Sequence, residues 1–218
     1  MPISITKRRI HIASPPLFIR FIMPIVLKIT NTVMGGLMIF RLIVFLMGAA
    51  MLSACAEPAR PDKMIPNATA DAATSALAGK VCVASVSGGE ETNPLWTSEV
   101  DNAAFRTAID GALMRNGLLA TTAAACRLGV EANLLGLAQP VAGFDMEVTA
   151  NVNYRVVEQT SSEAYFLATV VTPFTADFSS AFAGVERLRL ANEGAVRTNI
   201  SRFIQQLVDH AKATPPPS

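Results

Sequence analysis

Few side chains in this sequence have types and spacing suited to chemistry. Beyond the first fifty residues there is one histidine, His210, and the chain has three cysteines in all, Cys55, Cys82 and Cys126. A Ser-His-Asp or Cys-His pair would have to be built around the last turn of a C-terminal helix. There an imidazole more simply places favourable charge against the negative end of the dipole. Asp145 and Glu147 stand two apart on an alternating segment, so their carboxylates share one face of a strand. That face is polar throughout, which makes them solvated groups and not an acid and base pair. Ser87-Gly88-Gly89 lacks the spacing and the lysine of a phosphate cradle, and neither a G-x-S-x-G elbow nor a dinucleotide fingerprint occurs. Histidine and cysteine are too sparse for metal-ligand spacing. The expectation is a protein without catalytic residues, metal or cofactor, and not an enzyme.

Cys55 is different, because its surroundings form a pattern. Lys7, Arg8, Arg9, Arg20, Lys28 and Arg41 precede it with no Asp or Glu, and residues 42–52 are an uncharged apolar run. Such a run has the length of a signal-peptide core, whereas a spanning helix needs about 20 apolar residues. It ends in Leu52-Ser53-Ala54-Cys55, which resembles the lipobox of bacterial lipoproteins. The resemblance implies that a diacylglycerol is joined to the Cys55 thiol, that residues 1–54 are removed as a lipoprotein signal peptide, and that the new amine is acylated. Palmitate-type chains would then hold the protein on the membrane, each buried methylene contributing about 0.8 kcal/mol. The leader is over-long, and Met34 or Met38 would give a start of ordinary length. Ala56, in place of an Asp after the cysteine, points to the periplasmic face of the outer membrane.

Removing the leader leaves 12 of the 18 basic residues against all 17 acidic ones, a net charge near −5. This lacks the basic footprint of a nucleic-acid binder. Residues 55–79, rich in Ala, Pro, Thr and Asp, read as a flexible tether, residues 80–211 as one domain, and residues 212–218 as a disordered tail. Export leaves two readings for Cys82 and Cys126: a disulfide tying the first strand to the second, or two reduced thiols packed as small hydrophobes. Trp96, in a loop before the first helix, is a lid on the core or an interface anchor.

The domain itself reads as β-α-β-β-β-α. Residues 80–86 are apolar on both alternations, as in a covered strand. Ser98 caps a helix, with Asp101 three residues on and Glu99 favourable to its dipole; the stripe is Val100, Ala104, Phe105, Ala108, Ile109, Ala112 and Leu113, and Asn116-Gly117 closes it. A second strand starts at Leu128. A third alternates from Phe144 to Val156, apolar on one side and polar on the other, and a fourth covers residues 164–172 before Pro173. The final helix, residues 184–211, buries a broad stripe, with Gly194 loosening its middle. Glu186, Arg187, Arg189, Glu193, Arg197 and Arg202 read as its solvated side, with Glu193 and Arg197 paired at i,i+4. The expected fold class is α+β: a two-layer sandwich of a four-stranded, mainly antiparallel sheet with two helices on one face.

This order, together with the lipobox, the Pro-containing loop, a helix ending in Arg115-Asn116-Gly117 and the long alternating third strand, is similar to the lipopolysaccharide-assembly lipoprotein of the outer-membrane translocon. The resemblance is one of topology and implies no functional residue here. It implies a non-enzymatic accessory or assembly partner of an envelope protein. The other readings are the auxiliary lipoprotein of an ABC-type transporter, and an envelope protein that binds or hydrolyses a small ligand in a polar-lined pocket.

Overall fold

The computed structural model describes residues 56–216 apart from Trp96 and Ala142. Cys55, Trp96, the leader and its candidate start residues lie outside the described residues.

Alternation dictates the sheet. Strands β1 (Val81–Ser87), β2 (Leu128–Ala138), β3 (Met146–Glu158) and β4 (Ala164–Ala176) lie side by side in chain order. The β2–β3 and β3–β4 pairs are antiparallel, joined by short turns, whereas β1 runs parallel to β2. A parallel neighbour requires a crossover, which helix α2 (Asn102–Arg115) supplies. The sheet is therefore mixed. On β3 the residues Met146, Val148, Ala150, Val152, Tyr154 and Val156 are all buried. Phe144 falls before the strand and is exposed. β4 continues past Pro173 to Ala176, because it is an edge strand that needs ladder hydrogen bonds on one side only.

Helices α2 and α3 (Gly184–Ala213) cover the apolar face. The cap of α2 is Asp101, whose carboxylate accepts from Ala104 N at 2.8 Å. Ser98 instead donates to Glu57 O at 2.7 Å and is fully buried. Gly117, at φ 69°, takes the left-handed conformation that ends the helix. Over the middle of the sheet the Tyr154 and Phe203 rings stack at 3.9 Å, and the Tyr154 hydroxyl donates to Asn199 Oδ1 at 3.0 Å. Asn199 Nδ2 in turn donates to Val170 O at 2.8 Å and Thr172 Oγ1 at 3.1 Å, so the buried amide stitches helix to sheet with its hydrogen bonds satisfied.

Gly194 does not loosen α3. A Cβ there would lie 2.2 Å from the Phe174 ring, so the glycine is where the helix meets β4 most closely. Gly194→Ala is expected to destabilise by about 1–3 kcal/mol through overpacking, despite alanine's better helix propensity. Urea denaturation measures it, and adding Phe174→Leu should restore most of the loss.

The largest departure from the expected architecture lies between residues 56 and 79. These residues form a strap packed along both helices and not a tether. Short helix α1 (Pro61–Met64) and the segments on either side of it bury Ala59, Met64, Ala72 and Leu77 in the core. The strap is fixed at Ala59 N–Glu99 O (3.1 Å), Arg197 Nη1–Lys63 O (2.8 Å), Arg115 Nη1–Pro66 O (3.0 Å) and Thr69 N–Asn116 Oδ1 (2.7 Å). At the other end of the chain α3 runs two residues into the expected tail, and Tyr165 donates to Thr214 O at 2.6 Å.

Candidate functional site

The residues singled out by their chemistry do not come together. Cys82 and Cys126 are joined as a disulfide, with Cα atoms 5.6 Å apart, where β1 and β2 begin. His210 packs edge-on to Tyr165 with ring centroids 4.9 Å apart, near the C-terminal end of α3. Asp145 accepts from Phe178 N at 2.9 Å, and Glu147 accepts from Thr175 Oγ1 at 3.4 Å, so both hold neighbouring chain in place. Among the described residues no group of three or more His, Cys, Asp or Glu is arranged to hold a metal.

Tyr154 has the phenol most removed from water, and burial pushes its pKa far above the usual range. Its folded-state value is raised, so the stability it contributes is complete below the unfolded pKa near 10 and is lost as pH rises above that. Of the chain's two tyrosines, only Tyr165 is expected to ionise before alkaline unfolding. Phenolate absorbance during a pH titration checks this: one tyrosine's worth of signal should appear first, and the second should arrive with the loss of helix.

The charges on α3 divide: Arg202 is exposed and Glu186 and Arg197 are half-buried, whereas Arg187, Arg189 and Glu193 are buried. The strap lies over Arg189 and Glu193, leaving their side chains 4% and 2% exposed. Glu193 Oε1 accepts from Arg189 Nη1 at 3.1 Å and from Arg60 N at 3.0 Å and Nε at 3.3 Å; Arg189 also pairs with Glu186. The expected Glu193–Arg197 pair does not form, since Arg197 lies over the Phe174 ring at 5.6 Å. Beside this cluster Asn192 Nδ2 donates to Ser98 O at 2.6 Å, and Gln139 Nε2 donates to Ser98 O at 3.0 Å and Glu99 Oε2 at 3.1 Å. Burial, reinforced by neighbouring Glu90, raises the Glu99 pKa.

The surface best suited to a ligand or partner lies at the end of the sheet away from the disulfide. The loop before α2, the β2–β3 loop and the β4–α3 connection meet there around a groove of about 660 Å³ lined by Leu95, Gln139, Val141, Met146, Arg187 and Leu188. Its rim is apolar: Val141, Phe144 and Phe182 are each 80% or more exposed, with Leu95 and Phe178 also open to solvent. Phe144 and Phe178 meet edge-on at 5.8 Å. The guanidinium of the buried Arg187 lies 4.9 Å from the Phe178 centroid, and its Nη1 donates to Ala181 O at 2.7 Å and Phe182 O at 3.0 Å. Its Nε has no partner among the described residues. Reading the sequence did not find this rim, because single apolar residues in three separate loops have no periodicity; Trp96, in the same loop as Leu95, was the one signal.

No family model and no curated protein matches the sequence. Among solved structures, a Xanthomonas campestris protein of the DUF330 family is 12% identical, with 62% of this chain and 86% of that one covered at a TM-score of 0.47. A Caulobacter crescentus CB15 protein described as a candidate lipoprotein is 10% identical, covering 68% and 100% at a TM-score of 0.45. A minor lipoprotein of Acinetobacter baumannii is 13% identical, covering 65% and 97% at 0.34. The likeness is one of fold outline, and no residue role is taken from it.

Proposed function

We propose that the chain is a lipid-anchored lipoprotein of the cell envelope, held through Cys55 on the periplasmic face of the outer membrane, and that it works without catalysis as an accessory or assembly partner of another envelope protein. Anchoring is supported by Leu52-Ser53-Ala54-Cys55 behind its apolar run and basic flank. The partner reading is supported chiefly by the uncovered face of the sheet. Glu147, Thr149, Asn151, Asn153 and Arg155 of β3, with Leu167 and Val171 of β4, point away from the helices, and Leu167 and Val171 are exposed. The outer edge of β4 has no neighbouring strand among the described residues. A partner strand added there would gain main-chain hydrogen bonds, with the flanking apolar side chains setting register.

The experiment is a mild-detergent pull-down of the tagged, acylated protein from its own envelope, with partners identified by mass spectrometry. An outer-membrane β-barrel is expected, and Leu167→Asp with Val171→Asp should lose it at an unchanged melting temperature. Recovery of transporter subunits would move the chain to the auxiliary lipoproteins of ABC-type transporters, and recovery of no stable partner would overturn the assembly reading.

A further inference from the structure

We propose that the apolar rim seats the protein on a phospholipid surface, its loop tips entering the acyl boundary and Arg187 facing a headgroup phosphate. The inference rests on the reading of Cys55 as the lipidated residue, because that fixes which end of the domain meets the bilayer. Ala56 is buried, and its N–H is bonded to Pro94 O at 2.9 Å. Successive Cα atoms are about 3.8 Å apart, so the acyl chains on Cys55 leave the domain next to the loop that carries Leu95. The rim stands at that same end.

The chemistry of the rim fits a lipid surface in two layers. Outermost are Leu95, Val141, Phe144 and Phe182, contributed by three separate loops and open to water. Apolar side chains gathered in this way mark an interaction site, and tips of this size reach about 5–10 Å into the headgroup and acyl boundary. Behind them is Arg187, 6% exposed, in the wall of the groove. Its bonds go to the carbonyls of Ala181 and Phe182, and among the described residues no carboxylate lies within ion-pair distance of it and its Nε has no partner. A buried guanidinium without a counter-charge is costly, and a phosphodiester supplies both the charge and a geometry matched to the fork. The first turn of α3, in which Arg187 sits, adds the positive end of its dipole. A bilayer presents phosphate above apolar chains in that same order.

The test uses the acylated protein reconstituted in phosphatidylcholine vesicles containing brominated acyl chains. Trp96→Phe removes the chain's single tryptophan, and Val141→Trp, Phe182→Trp or, on the open sheet face, Leu167→Trp adds one back. Rim tryptophans should be quenched at least about threefold more than the Leu167→Trp probe; equal quenching at the three positions overturns the seating. The same rim probes in vesicles of a phosphate-free glycolipid with the same brominated chains test Arg187 without altering it. Quenching should fall at least about twofold, and unchanged quenching overturns the phosphate contact. Intact-mass measurement on each sample reads acylation of Cys55 independently. An unmodified cysteine with quenched rim probes would refute the anchoring reading while supporting the seating.

Discussion

Glu193→Ala is expected to lower the unfolding free energy by about 3–5 kcal/mol, the range for breaking a buried ion pair from one side. The loss has two sources. Arg189 keeps its charge at 4% exposure, and Arg60 N and Nε lose the oxygen that holds the strap against α3. Arg60→Ala should cost only about 0–1 kcal/mol, because its side chain is 46% exposed and solvent screens the pair. Replacing both members, as Arg189→Met with Glu193→Leu, should recover most of the loss, since a packed apolar pair carries no desolvation penalty. Guanidinium denaturation of the set measures all three. If Glu193→Ala and Arg60→Ala cost the same, the pair is not buried as described.

The second large effect is expected from the disulfide. Its cysteines are 44 residues apart and enclose β1, α2 and the turn leading into β2. In the chain-entropy account a closed loop of that size stabilises by about 4 kcal/mol. Cys82→Ala with Cys126→Ala should therefore shift the denaturation midpoint strongly, and reductant should do the same to the unaltered protein while leaving the double variant unchanged. A shift under about 1 kcal/mol in both would mean that the bond is absent or that the denatured chain is already compact there.

What could be read from the sequence, and what could not, divides along physical lines. The one-sided alternation of β3 and the three-and-four spacing in α2 are periodic signals carried by many residues, so the sheet, its helical layer and the α+β class were legible. Two misreadings were really one. Residues 56–79 have no periodicity, and the strap's packing comes from isolated side chains such as Met64 and Leu77, so it read as a tether. Once it was taken as a tether, Arg189 and Glu193 were left facing water, and the solvated side of α3 was drawn wider than the fold makes it. Gly194 misled in a similar way: propensity describes the helix alone, and only the Phe174 ring across the gap explains the residue. For the proposed site, Cys55 could be singled out at all because a lipobox is a contiguous motif. The rim was not, because its members meet only when three loops fold to one end.

The course of β4 past Pro173 bears on how the protein survives at high local density. An edge strand of thirteen residues is a template onto which a second copy could grow, sheet on sheet. Pro173 contributes no N–H, and since β3 is the strand's only neighbour among the described residues, the missing donor falls on the open side. A row of main-chain donors is therefore interrupted at the fourth residue from its end, and two copies brought close together cannot pair these edges along their full length. The interruption thus guards the edge against fibre formation, and the partner strand proposed above would have to pair across or beside Pro173.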